Sequence, residues 1–367
     1  MSALPVTNRE RVIFALANQL QHQHPVQILI PKPWDDQKSI MAHHDLTWHN
    51  IAPRWARFIP GNAARLACSI PHLRHLIDTG LGGMLTVSIP TALAALRARQ
   101  GAKHHIPLLI RQSNVVYLRE DARFAGIRPR WRDALIRRWY PEADHFIAVS
   151  RGVADNLLAL GIESRRITVI PNAVDVSSIL QKSLATPSPY PQPYLVAVGR
   201  LVVKKDYPTL LHAMSLLPTQ VIPHLVILGE GPERRKLTAL CHDLKLEGRV
   251  SMPGFVANPY PIMAAASCLV SSSISEGMPN ALLEALVLGR PVVATNCPSG
   301  PAEILDHGRY GALVPVGQPE ALAVAIGTML ANPSPPELLQ ARAAQFSMDV
   351  AIQAYARVIH HVLGSTS

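Results

Sequence analysis

Short apolar runs alternate with helical patterns along the chain, and this alternation constrains the fold more than any other feature of the sequence. Parallel strands need a long crossover between them, which is usually a helix. The alternation therefore predicts an α/β protein with parallel sheets. In the first half, the runs that we interpret as strands lie at 26–30, 84–89, 106–110, 145–150 and 167–172, and the predicted helices at 9–23, 62–78, 90–100, 130–140 and 151–160.

The second half repeats the pattern with clearer boundaries. Pro279 suits the first turn of a helix and Gly289 suits the position after its last turn. The strands are predicted at 194–199, 224–229, 249–254, 267–272 and 291–295, and the helices from Pro208 and at 232–245, 259–266, 279–288, 301–307, 319–331 and 348–363.

A proline-rich segment separates the two halves. Residues 183–193 carry four prolines and no helical period, which is typical of a linker. We therefore predict an N-terminal domain at 1–182, a C-terminal domain at 194–345, and a final helical segment at 346–367 that crosses back to the first domain. Both domains are expected to be Rossmann-like and doubly wound, facing each other across a cleft, with ligands bound at the carboxyl ends of the strands.

Charge and cysteine content narrow the class of protein. The formal charge is +10, and the excess lies in the first half: 23 Lys and Arg face 13 Asp and Glu in residues 1–190, against 12 and 12 in residues 191–367. Such a distribution is compatible with nucleic acid or with an anionic membrane surface. Four isolated cysteines indicate a reducing compartment. Because neither a signal peptide nor an apolar span is recognised, we expect a cytoplasmic protein that is soluble or peripheral on the inner face of the cell membrane.

The most informative segment is 271–295, where a predicted strand, a loop and a helix follow each other. Glu276 lies on the loop and Glu284 in the second turn of the helix, so the two carboxylates are spaced as E-x7-E. The start of the helix offers unpaired N–H groups and a positive dipole end, which suit a phosphate. Taken alone, Glu284 would more often be a solvated helix residue. Gly277, Pro279 and Asn280 around the pair make the pattern more specific.

This segment, SEGMPNALLEALVLGRPVVAT, resembles the signature of family 4 retaining glycosyltransferases, of the type called group 1. The similarity extends to GRLVVKKDYPTLLHA at 199–213, LVILGEGPERRKL at 225–237 and ITVIPNAVD at 167–175. It is strong from about 145 to 331 and weaker from 9 to 144. The resemblance implies a GT-B fold and places the chain with polysaccharide- and lipopolysaccharide-building transferases.

The resemblance also implies roles for individual residues. Arg200 and Lys205 match family residues that contact the diphosphate of a nucleotide sugar, Glu284 the residue that binds the ribose hydroxyls, and Glu276 a residue near the donor sugar. The implied catalytic residues are Glu276, Arg200 and Lys205. The implied donor-binding residues are Gly199, Arg200, Lys205, Gly231, Glu276, Gly277, Met278, Pro279, Asn280 and Glu284.

Two departures from the family pattern concern the first domain. Family members usually open with a strand and a Gly-rich loop before the segment that resembles NRERVIFALANQL, which here begins at residue 8. The first domain is therefore expected to lack its first strand, and a truncated, non-catalytic binding protein is the alternative interpretation. Where many members have a His, this chain has RQSN, so Arg111 and Asn114 are further active-site candidates.

No metal or cofactor is expected. Asp35 and Asp36 do not form a D-x-D motif, and the histidine pairs, such as His104 with His105, lack the partners of a metal site. The resemblance implies retaining transfer from a nucleotide diphosphate sugar to a glycan or lipid-linked acceptor, and UDP-hexose or UDP-N-acetylhexosamine is the donor that we expect among those the family uses. The basic segment 128–140 is compatible with a membrane interface, with nucleic acid and, equally, with a solvated helix face. The charge distribution and the lipid-linked acceptors that the resemblance implies favour an anionic membrane surface as a partner, and nucleic acid is not expected as one.

Overall fold

The computed structural model describes residues 8–22, 25–30, 47–51, 66–116, 130–220 and 224–364. The chain forms two compact units. The first comprises Met1–Pro171 together with Asp349–Ser367, and the second comprises Asn172–Met348. No helix within the described ranges has the length and apolar character needed to cross a bilayer.

The first unit contains a parallel sheet of four strands in the order β3-β4-β5-β6, and a parallel pair formed by β1 and β2. Its core strands are buried on both faces, as β4 and β5 show by having no exposed residue. The described elements in chain order are α1 (Asn8–Leu20), β1 (Gln27–Ile30), β2 (Thr47–Asn50), α2 (Ile70–Asp78), β3 (Met84–Thr86), α3 (Ile89–Gln100), β4 (Leu108–Gln112), α4 (Arg130–Trp139), β5 (His145–Ala148), α5 (Arg151–Ala159) and β6 (Ile167–Val169).

The second unit contains a parallel sheet of six strands in the order β12-β11-β10-β7-β8-β9. Its central strands are apolar along most of their length because helices cover both faces. The elements are α6 (Val176–Ser183), β7 (Tyr194–Val198), α7 (Tyr207–Leu216), β8 (His224–Leu228), α8 (Arg234–Asp243), β9 (Val250–Gly254), α9 (Tyr260–Ala265), β10 (Cys268–Ser271), α10 (Asn280–Val287), β11 (Val292–Thr295), α11 (Pro301–Ile304), β12 (Ala312–Val314), α12 (Pro319–Ala331) and α13 (Pro336–Ala344), and α14 (Met348–Gly364) follows.

The predicted α/β class with parallel sheets is confirmed, and each predicted strand is present in whole or in part. The prediction missed β2, β12, α6 and α13. Strand β12 has only three residues. Helix α13 begins at Pro336 within a proline-rich stretch, where proline occupies the first helical turn instead of ending the helix.

The division between the units differs from the predicted linker at 183–193. Helix α6 packs on α9 and α10, and it therefore belongs to the second unit although the sequence placed it in the first. The chain passes between the units after Pro171 and again after Met348, so α14 contributes to the first unit.

Two glycines let the loops after β7 and β8 approach each other. Gly199 and Gly229 have φ values of +155° and +154°, and a Cβ atom on Gly229 would lie 1.9 Å from the carbonyl oxygen of Gly199. A side chain at this position would therefore push the two loops apart.

We expect Gly229→Ala to lower the thermal unfolding midpoint clearly, because the added methyl group meets fixed backbone and the φ value is strained for alanine. Gly248→Ala is the matched control, since its added Cβ would have no neighbour within 4 Å. Differential scanning calorimetry of both variants checks the expectation. Equal midpoints for the two variants would contradict the close approach.

Candidate functional site

The candidate residues of the second unit gather at the carboxyl edge of its sheet, between β7 and β10. The chain runs outward from β7 to β8 and β9, and then returns to the other side of β7 with β10. The loops that follow β7 and β10 therefore leave in opposite directions. Such a topological switch point is where sheets of this kind open a crevice for a ligand.

A short ion pair joins these two loops. The Lys205 Nζ atom lies 2.6 Å from Glu276 Oε1, and the Ser273 hydroxyl donates to the same oxygen at 2.8 Å. The side chains of Lys205 and Glu276 are only 17% and 8% exposed. The structure thus brings together two of the residues that the sequence predicted for one site.

Backbone contacts hold the ion pair in place. The lysine lies on a 3-10 turn, Val203–Lys205, which directly precedes α7. The Ser272 hydroxyl donates to the carbonyl of Lys205 at 2.9 Å, and the N–H of Ile274 donates to the carbonyl of Lys204 at 2.8 Å. The loop after β10 is therefore tied to the turn after β7 at two points close to the carboxylate.

The Glu276 carboxyl is ionised at neutral pH. Burial alone raises its pKa, but the charges of Lys205 and Lys204 and the hydrogen bonds from Lys205 and Ser273 outweigh burial, so that the pKa lies below its ordinary value of 4.5. Cys297 lies near this carboxylate, and burial together with the charge of Glu276 raises the pKa of its thiol to about 12. The thiol is therefore neutral at physiological pH and unsuited to act as a nucleophile.

The turn before α10 has anchors on two sides. The Ser299 hydroxyl donates to the carbonyl of Gly277 at 2.8 Å. The Asn172 carboxamide donates to the carbonyl of Met278 and to the Asn280 side chain, each at 2.9 Å. The predicted donor-binding residues Gly277, Met278, Pro279 and Asn280 thus form one ordered turn and helix start.

Arg200, Glu284 and Gly231 lie on the same edge of the sheet as the Lys205–Glu276 pair. Arg200 follows β7 and its side chain is exposed. Glu284 is half-buried in the second turn of α10. A Cβ atom on Gly231 would lie 2.3 Å from the carbonyl oxygen of Leu201, so this glycine lets the loop after β8 lie against the loop after β7.

Arg111 and Asn114 belong to the first unit. The Arg111 guanidinium is buried at the end of β4, where it donates from Nε to the Tyr355 hydroxyl of α14 at 2.6 Å and from Nη1 to Ser113 at 2.7 Å. Asn114 is exposed on the following loop, and its carbonyl accepts a hydrogen bond from Gln112. Arg111 therefore ties the sheet to the C-terminal helix, and the role of both residues at a reacting group stays a prediction.

Sequence reasoning missed three residues that shape this edge: Asn172, Ser273 and Ser299. Ser273 belongs to the serine-rich strand end that made the signature specific, but nothing in its type indicates that it donates to Glu276. Asn172 lies about a hundred residues before the turn that it holds, and no local pattern reports such a contact.

Asp35, Asp36 and Arg128 lie outside the described residues.

The arrangement suits a ligand that carries both negative charge and hydroxyl groups. Exposed Arg200 and Lys204 and the mostly buried Lys205 supply positive charge, and the start of α10 adds the positive dipole end of a helix. Ionised Glu276 can only accept hydrogen bonds, which suits a hydroxyl donor. In the part of the chain that the structure describes, no cluster of three or more His, Cys, Asp or Glu could hold a metal ion.

Comparison with known proteins matches each half of the chain to a glycosyltransferase family. Residues 10–178 match the family described as Glycosyltransferase Family 4, and residues 192–332 match Glycosyl transferases group 1. One relative is the Campylobacter jejuni N-acetylgalactosamine-N,N'-diacetylbacillosaminyl-diphospho-undecaprenol 4-alpha-N-acetylgalactosaminyltransferase, 34% identical over 53% of this chain and 53% of its own. Another is the lipopolysaccharide core biosynthesis glycosyltransferase LpsE of Rhizobium meliloti, 31% identical over 60% of this chain and 65% of its own. The chain thus spans about half to just under two thirds of the length of these relatives.

The fold also has solved counterparts. The Anabaena protein HepE in complex with UDP-glucose shares 20% identity with this chain, with a TM-score of 0.75 and 98% of each chain covered. The apo form of the lipopolysaccharide outer core galactosyltransferase WaaB shares 18% identity, with a TM-score of 0.74 and 98% of each chain covered. At these identities, the likeness establishes the two-domain GT-B fold.

We expect Glu276→Gln to lower the thermal unfolding midpoint at pH 7, because it leaves the Lys205 ammonium beside a neutral amide in a poorly solvated site. The folded pKa of Glu276 is lowered, so its stabilisation is present above the unfolded pKa and is lost as the pH falls through the folded pKa. The difference in thermal unfolding midpoint between wild type and variant should therefore become smaller below about pH 4.5.

Glu163→Gln serves as the control for this pH series. Arg165 lowers the pKa of Glu163 as well, but this pair is fully exposed and screened by solvent. Its substitution should leave the midpoint close to that of wild type throughout. If the difference in unfolding midpoint between wild type and Glu276→Gln stays constant from pH 7 to pH 3, the stabilising ion pair of Lys205 with ionised Glu276 is contradicted.

Proposed function

The chain belongs to the family 4 and group 1 glycosyltransferases, and from this premise we propose that it transfers a sugar from a nucleotide diphosphate with retention of configuration. The observation that carries the proposal is the short Lys205–Glu276 pair at the switch point of the second sheet, where the lysine lies on the loop that also bears Arg200. Cations and a carboxylate acceptor within one crevice match the two halves of a nucleotide sugar, its diphosphate and its hydroxyl-rich ring.

The second unit is proposed to bind the donor. Arg200 and Lys205 would contact the diphosphate, and Glu284 would accept hydrogen bonds from the ribose diol. The turn at 277–280 would present backbone N–H groups to the sugar or the phosphate. Gly199 and Gly231 would let the nucleotide approach the backbone, because neither carries a side chain in these packed loops.

The proposed chemistry needs no dedicated side-chain base. The bond between the anomeric carbon and the diphosphate oxygen breaks while the acceptor oxygen bonds to the same carbon from the same face. The acceptor proton passes to the departing phosphate. Arg200 and Lys205 would stabilise the negative charge that builds on the leaving group, and electrostatic stabilisation of this kind accounts for much of the rate enhancement in many enzymes. Glu276 would orient the sugar.

The donor and acceptor are proposed from chemistry and from relatives. UDP-hexose or UDP-N-acetylhexosamine is the proposed donor, supported by neighbours solved with UDP or UDP-glucose. A glycan or lipid-linked acceptor in cell-surface polysaccharide synthesis is supported by the names of the relatives. The positive charge concentrated in residues 1–190 suits work beside an anionic membrane on the cytoplasmic side.

We expect Arg200→Ala and Lys205→Ala each to raise the donor KM and to lower kcat, with a loss of about tenfold or more in kcat/KM, because a charge-assisted contact to the diphosphate is removed. Lys236→Ala is the control, since this exposed lysine pairs with Glu233 on the helical turn that begins α8. Radiolabelled sugar transfer checks the rates, and circular dichroism checks folding. Unchanged kinetics in both variants would reject the diphosphate role.

We expect the new linkage to have the anomeric configuration of the donor, and the transfer rate to be unaffected by excess EDTA. The proposed cations and helix start stabilise the leaving group in place of a metal. NMR coupling constants of the product, with and without the chelator, check both points. An inverted product, or loss of transfer that Mg²⁺ or Mn²⁺ restores, would contradict them.

A further inference from the structure

Asn172 makes a long-range contact to the turn that precedes α10. It is the first residue of the second unit. Its Nδ2 donates to the carbonyl of Met278 and to Oδ1 of Asn280, both at 2.9 Å. A carboxamide nitrogen carries two N–H groups, so both bonds form together.

The backbone beside Asn172 is itself fixed. Two residues later, the N–H of Val174 donates to the carbonyl of Phe346 at 2.9 Å, and Val174 forms a parallel bridge with Ser347. The segment on which Asn172 lies is therefore held against the residues where the chain leaves the second unit. A side chain on a fixed backbone can hold its partner in place, whereas one on a free loop would follow it.

The turn depends on such external bonds. Pro279 has no N–H and cannot contribute a donor to the turn. The carbonyl of Gly277 is bound by Ser299, and Gly300 makes room for this contact, since a Cβ atom there would lie 2.7 Å from Pro279 Cδ. Asn172 supplies the other anchor, on the carbonyl of Met278 and on the first residue of α10.

The choice of bonded groups has a consequence for the direction of the N–H groups in this turn, whose residues 277–279 are buried. In a trans peptide, the C=O and the following N–H point in opposite directions. Because Ser299 binds the carbonyl of Gly277 on one side, the N–H of Met278 points to the other. The carbonyl of Met278 precedes Pro279, which has no N–H, so the Asn172 bonds act on the path of the turn and on Asn280, the first residue of α10. In the first turn of α10 the N–H of Leu282 donates to the carbonyl of Pro279, and the N–H groups of the two residues before it lie where a helix start presents donors to a ligand.

We infer that Asn172 is a positioning residue for nucleotide-sugar binding, acting through the turn at 278–280. The inference rests on the proposed function. Without the Asn172 bonds, the turn and the first residue of α10 would lose the anchor that the segment at 172–174 supplies. The N–H groups would then be spread over several orientations, and part of the binding free energy of the donor would be lost in ordering them.

Asn172→Asp is the sharpest variant, because aspartate keeps the shape of asparagine but has no N–H. Its carboxylate would lie against the carbonyl oxygen of Met278 and Oδ1 of Asn280. We expect the affinity for UDP, measured by isothermal titration calorimetry, to fall about tenfold, as the loss of two hydrogen bonds allows. The donor KM should rise by a similar factor while the acceptor KM stays unchanged. A general loss of structure would not produce this split.

Asn156→Asp is the matched control. The Asn156 carboxamide also makes a long-range pair of bonds, to the N–H and the carbonyl of Val116, but it lies in the first unit. The Asn156→Asp variant should lose about as much thermal stability as Asn172→Asp and should keep the wild-type affinity for UDP. If Asn172→Asp keeps the wild-type affinity for UDP and the wild-type donor KM, the inference is overturned.

Hydrogen exchange without nucleotide separates this inference from the proposed function. In Asn172→Asp, amides at 277–283 should exchange faster than in wild type, while those of β7 stay protected. Unchanged exchange at 277–283 overturns the inference even if UDP binds. If the wild type binds none of UDP, GDP and ADP, the proposed function is overturned instead, and the role of Asn172 in donor binding with it.

Discussion

The Lys205–Glu276 ion pair is the interaction on which the candidate site depends. A carboxylate as buried as Glu276 is stable only beside a cation and hydrogen-bond donors, and Lys205 and Ser273 supply them. Because the two partners follow adjacent strands, the pair also links the loops on both sides of the switch point. Its geometry therefore determines where a ligand would meet both charge and acceptor.

The loops around this pair are held in place by close contacts between their backbones and by hydrogen bonds to backbone carbonyls. Gly199 and Gly229 remove the side chains that would separate the loops after β7 and β8. The bonds from Ser272, Ser299 and Asn172 then hold the carbonyls of neighbouring turns. A site built in this way is ordered before a ligand arrives, so little binding energy is lost in arranging it.

The sequence anticipated much of this site, but not its internal bonds. It placed Lys205 and Glu276 on loops at one sheet edge, since the strand pattern and the family signature locate both. It did not indicate that Lys205 is paired with Glu276. Arg111 was a candidate for the reacting groups, whereas the structure engages its guanidinium with Tyr355 of α14. This contact joins residues over two hundred positions apart, and local pattern carries no information on it.

The sequence by itself determined the α/β class, the positions of the main strands and the edge at which the signature residues lie. It could do so because buried parallel strands and helix starts leave local patterns of apolar runs, prolines and glycines. Only the tertiary structure decided where the units divide, which residues hold the turn at 277–280, and what Arg111 contacts. These outcomes depend on packing between distant segments, where the same side chain is equally compatible with solvent, a ligand or a structural partner until its neighbours are in place.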